Sequence, residues 1–265
     1  MRTKKPFMSS LSAMLLVIAI ASSIKAAEQQ PTSAKSVDLA KSTTNELIES
    51  LREKYGIKTI EDIATWNTSE QTEAIAKMTF KPRPQKPYSR YNDLLSVLLG
   101  FRPVGLVDLT IGELADQKTM QDAPILQEIV LHRQDCPVKF ISYFPQATIA
   151  VYDSRTIDGE RDAYIIALLT LESSPTLTKK PSISSPAQSY VFGKLFSYPE
   201  PAIRTYALVG YFPPQLRTEQ IWETIKKDGD QWLAAHQAKT VPELKKLLSE
   251  LLKRNHLPEY KNFPQ

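Results

Sequence analysis

The sequence predicts an α+β protein: a helical N-terminal part, a central antiparallel sheet of five to six strands, and two C-terminal helices packed on it. Three observations carry that expectation. Apolar residues recur at helical spacing before residue 100 and after residue 218, and short β-branched and aromatic runs fill the stretch between Val104 and Phe212. Several connections between those runs are too short to hold a crossover helix, which makes their neighbours antiparallel.

The chain opens on a segment of export type. Arg2, Lys4 and Lys5 precede an uncharged stretch whose apolar heart is Leu11 to Ala21, and small residues at Ala26 and Ala27 follow. Residues 1–26 therefore read as a signal peptide cut after Ala26, although Ile24 departs from the small residue expected there. The protein is expected in the periplasm or secreted. The alternative is an uncleaved anchor in the inner membrane, because Pro6 to Ile24 carries no charge and approaches the roughly 20 residues that span a bilayer. That N-terminal segment is the sole route to a membrane the sequence suggests.

Charge and cysteine usage narrow the classes further. Of 33 basic and 29 acidic residues, four basic ones (Arg2, Lys4, Lys5 and Lys25) lie in the leader, so the remainder balances at 29 of each. Such a chain offers no global positive field for phosphates, and nucleic acid is not an expected partner. Cys136 is the one cysteine, which rules out an intrachain disulfide and leaves stability to core packing. The 8 glycines include no phosphate-cradling cluster of the dinucleotide or P-loop kind. No cofactor is expected.

Residues 27–42 read as a solvated tether, and residues 43–80 as a small helical subdomain. Thr43 with Glu46 forms a capping box ahead of Leu47, Leu51 and Tyr55, and Gly56 closes the helix. Thr59 with Asp62, then Thr68 with Gln71, repeat the arrangement for two further short helices. Pro82, Pro84 and Pro87 among basic residues make residues 81–90 an extended connector to an α+β domain at 91–258, followed by a tail at 259–265. Tyr91, Leu94, Leu95, Leu98 and Leu99 predict a buried helix face ended by Gly100.

Strands are expected at Ile125–His132, Val138–Phe144, Thr148–Asp153, Ala163–Leu171, Tyr190–Phe196 and Ile203–Phe212. Val104–Leu114 fits either a strand or a helix turn. Ser173–Ala187 holds Ser, Thr or Pro at 10 of 15 positions and reads as a long exposed loop. After Thr218 a helix places Ile221, Ile225, Trp232, Leu233 and His236 on one face, with a kink expected at Asp228-Gly229-Asp230. Thr240 with Glu243 caps the last helix, whose leucine stripe runs from Leu244 to Leu252.

Within Leu51 to Ala76, the run Tyr55-Gly56-Ile57-Lys58-Thr59-Ile60-Glu61-Asp62-Ile63-Ala64 resembles the second half of a helix-hairpin-helix-type module. The resemblance covers about a tenth of the chain. In that family a glycine-containing hairpin meets nucleic-acid phosphate, but no Gly-x-Gly occurs here, and residues 28–80 hold 9 acids against 6 bases. The nucleic-acid role is therefore not carried over. A glycine cap followed by a Thr/Asp box joins any two short helices equally well.

Candidate chemistry is sparse. Cys136 follows His132 and Arg133, whose charges would favour a reactive thiolate. On a strand, however, His132 and Cys136 would stand roughly 13 Å apart, so contact needs a turn. His132, His236 and His256 lack metal-ligand spacing, and no metal site is expected. Arg155 and Arg161, in the charged stretch from Asp153 to Asp162, are candidates for binding an anionic ligand, while ion pairs within a hairpin loop explain the same residues. Tyr198, Tyr206, Tyr211 and Phe212 are candidates to line an apolar pocket, or else pack in the core. No Gly-x-Ser-x-Gly elbow is present. These features predict an exported binding or interaction module whose partner is an envelope protein, a peptide or a small ligand. The alternative is an exported enzyme with its site around Cys136 or the Asp153–Asp162 loop.

Overall fold

Thr43 caps the first helix as its letters predict. Its hydroxyl accepts from the Glu46 amide, the Glu46 carboxylate takes the Thr43 amide in return, and Gly56 ends α1 (Thr44–Tyr55) in the left-handed conformation at φ 63°. The computed structural model describes residues 38–63, 91–107, 123–142, 149–174 and 182–263. The leader, most of the tether, the Thr68–Met78 helix, the 81–90 connector, the C-terminal half of Val104–Leu114 and residues 175–181 of the Ser/Thr/Pro stretch lie outside them.

After α1 come α2 (Ile60–Ile63), α3 (Asn92–Leu98), β1 (Val104–Val107), α4 (Pro124–His132), β2 (Val138–Ser142) and β3 (Ile149–Asp153). Then follow α5 (Gly159–Glu172), α6 (Ser185–Leu195), α7 (Glu200–Val209), α8 (Glu219–Gln237), α9 (Val241–Arg254) and β4 (Lys261–Phe263). The sheet consists of three antiparallel strands, with β3 between β1 and β2, and the three-residue β4 added on the outer side of β2.

The expected five-to-six-strand sheet is thus corrected. Val138–Phe144 and Thr148–Asp153 contain β2 and β3, but Ile125–His132, Ala163–Leu171, Tyr190–Phe196 and Ile203–Phe212 fall in α4, α5, α6 and α7. For α5 and α6 the reason is burial on nearly every side. From Ala163 to Leu169 every residue of α5 is buried, so its sequence shows no polar face to mark the helical period. Proline does not break these helices. Pro124, Pro186 and Pro201 sit in the first two positions of α4, α6 and α7, where a missing amide costs no intrahelical bond. Ser184 precedes α6, so part of the supposed loop at Ser173–Ala187 is helix, and Ala187 is buried.

Helices cover both faces of the sheet. On one face Leu47 and Leu51 of α1, Leu94 and Leu98 of α3, and Ile129 of α4 pack with Val138, Phe140, Ile149 and Val151. On the other, Ile141, Ala150 and Val104 meet α5, which in turn carries α6, α8 and α9. Alternate strand residues feed alternate cores. The two C-terminal helices therefore rest chiefly on α5 and α6 and do not cover the sheet directly.

α8 runs as one unbroken helix through Gly229. A Cβ at that position would lie 2.4 Å from Tyr190 Cδ1, so the glycine exists to let α6 approach, and the Tyr190 hydroxyl donates to Asp230 at 2.6 Å. Among the described residues no helix is long and apolar enough to cross a membrane.

Candidate functional site

Three segments converge at one end of the sheet. The tight turn after α4 brings Gln134, Asp135, Cys136 and Pro137 to the start of β2. The corner after β3 brings Ser154 and Arg155, and the first turn of α1 brings Asn45. Together with Lys139 they line an open cleft of about 330 Å³.

Hydrogen bonds fix this frame. The Ser154 amide and hydroxyl both donate to the Pro137 carbonyl, at 2.8 and 2.7 Å, tying the corner to the turn. The Cys136 amide donates to the Arg133 carbonyl at 3.2 Å. The Thr44 hydroxyl donates to the Asp135 carboxylate, anchoring the turn on α1. Asp153 is buried at the end of β3 and receives the Arg155 guanidinium through Nε and Nη2, each at 2.8 Å. Nη2 also donates to the Leu98 carbonyl at 3.0 Å, leaving Nη1 without a partner among the described residues. Burying Asp153 is tolerated because this fork and the Arg155 amide satisfy its oxygens. Gly159 lies directly behind: a Cβ there would sit 2.4 Å from the Asp153 carbonyl oxygen.

Cys136 forms the floor of the cleft yet is only 2% exposed. Its thiol donates to the Val138 carbonyl at 3.6 Å, and burial pushes it above the usual thiol range. The Val138 bond, Lys139 and Arg155 pull the other way, and Asp135 adds to the rise. His132 ends α4 on the exposed surface and is not among the groups acting on the thiol.

The other candidates lie elsewhere. Arg161, on the first turn of α5, pairs with Asp158 at 3.0 Å and Asp162 at 3.4 Å and does not line the cleft. Tyr198 lies under the guanidinium of buried Arg102, 4.6 Å from its ring centroid, and meets Phe196 edge to face. Burial holds its hydroxyl at about 12. Tyr206 is held at about 12 for the same reason. Tyr211 bonds to Ser189 at 2.9 Å, and Phe212 packs on the larger core. Sequence reasoning thus named two cleft residues, Cys136 and Arg155. It did not single out Asn45, Gln134, Asp135, Pro137, Lys139 or Ser154, and Asn45 reaches the turn only when folding packs α1 beside it. Among the described residues no group of His, Cys, Asp or Glu is arranged to hold a metal ion.

No protein family, no curated protein and no solved structure matches this chain.

Proposed function

We propose that the chain is a binding module that acts outside the cytoplasm and that the cleft between α1, the 134–137 turn and the 154–155 corner is its ligand site. One observation carries this reading. Among the described residues Asn45, Gln134 and Lys139 have no partner for their side chains, and Asp135 and Arg155 each keep polar atoms unspent, all on a frame pinned by hydrogen bonds. Polar groups aimed into one cleft from three fixed segments are the arrangement that recognises a small ligand. Binding is favoured over catalysis because the one thiol at the site is buried, bonded to a carbonyl and shifted away from ionisation. Export rests on the pattern of residues 1–26.

The test is a thermal-shift screen of the purified chain against polar small molecules, repeated on Asn45→Ala and Lys139→Gln variants. The proposal expects at least one compound that raises the melting temperature of the parent chain and loses that effect in both variants. Compounds that protect parent and variants equally would place the binding surface elsewhere.

A further inference from the structure

The charges around the cleft define its ligand more narrowly. Asp135 supplies a carboxylate with one oxygen taken by Thr44 and the other open among the described residues. Lys139 supplies an ammonium, and Arg155 a Nη1 that has no partner among the described residues. Among the described residues neither Asp135 nor Lys139 has an ion-pair partner within 4.0 Å, so opposite charges share the cleft without closing on each other. All three line the same cleft, whose wall also includes the buried Cys136.

Resting on the cleft as the binding site, we propose that its ligand is a small zwitterion of free amino acid size, its ammonium on Asp135 and its carboxylate on Lys139 and Arg155. A simple anion would meet the Asp135 carboxylate, and a simple cation would meet Lys139 and Arg155. A neutral molecule would strip water from all of them without replacing it. A ligand carrying both charges avoids each of these costs. Asn45 and Gln134 add amides able to donate to the carboxylate or accept from the ammonium. Pro137 and the buried thiol offer an apolar floor for the carbon skeleton. A volume of about 330 Å³ lies at the small end of the roughly 300–1,000 Å³ seen for ligand sites, which suits a metabolite and not a polymer.

Calorimetric titration of the full chain with glycine, L-alanine, L-glutamine and L-lysine, and with acetate and methylammonium as one-charge controls, tests this. At least one amino acid is expected to bind at least about tenfold more tightly than either control. Asp135→Asn and Lys139→Gln should each weaken it about tenfold or more while retaining the parent circular dichroism spectrum. Acetate binding as tightly as the amino acids would overturn the zwitterion and leave an anion site in the same cleft. Silence from all four amino acids would overturn it too, and the wider thermal-shift screen would then decide whether the cleft binds anything else.

Discussion

Asp162 is buried in the first turn of α5 with only long contacts to Arg161, and desolvation lifts its carboxyl from 3.8 to about 6. The folded state therefore resists its ionisation more than the unfolded chain does. For this group, stability is highest below about pH 4, falls as pH rises towards about 6, and is level above. Asp162→Asn removes that cost. Chemical denaturation should show the variant more stable at pH 7, by on the order of 2 kcal/mol at most, and equal to the parent near pH 3.5. Cys136 makes a second prediction at this scale. Its buried, carbonyl-bonded thiol should react with a disulfide reagent at neutral pH at least about a hundredfold more slowly in the native protein than in denaturant. Fast native labelling would reopen nucleophilic chemistry at the turn.

Helices and strands differed in how plainly they were written. Caps were legible wherever a polar side chain did the capping: Thr43 with Glu46 and Thr240 with Glu243 both form reciprocal boxes, and Gly56 and Gly100 both take positive φ. The amphipathic α9 buries Leu244, Leu248, Leu251 and Leu252 and keeps Lys246 and Lys253 in water, so its period survives in the letters. In α5 and α6 tertiary burial erased that period, and β-branched and aromatic residues chosen for packing imitated strands, whereas α7 buries only Ile203, Ala207 and Leu208. Gly229 belongs to the same scale. Helix propensity alone would favour alanine there by about 1 kcal/mol, yet the Cβ would strike the Tyr190 ring. Gly229→Ala is expected to destabilise by about 1–3 kcal/mol in urea unfolding, and a gain in stability would contradict the close packing of α6 on α8.

The described residues form a small sheet with a helical layer on each face, and the cleft opens at one end of the sheet, beside α1 and the turn after α4. That position explains why half the site was hidden in the sequence. Arg155 and Cys136 drew notice as chemically distinctive letters in turns, whereas Asn45 lies about 90 residues upstream of the turn it faces and gains meaning only when α1 packs on α4. The balance of 29 basic and 29 acidic residues beyond residue 26 is likewise a property of the whole chain and says nothing of the local arrangement, in which Asp135, Lys139 and Arg155 line one cleft. The central claim is that this cleft is where the protein meets its ligand. Backbone amide shift mapping of the isotopically labelled chain, titrated with whichever compound stabilises it most, tests that claim directly. The account predicts saturable shifts confined to Asn45, Gln134 to Lys139 and Ser154 to Arg155. Shifts centred on Tyr198, Tyr206 and Tyr211, with the cleft unmoved, would contradict it.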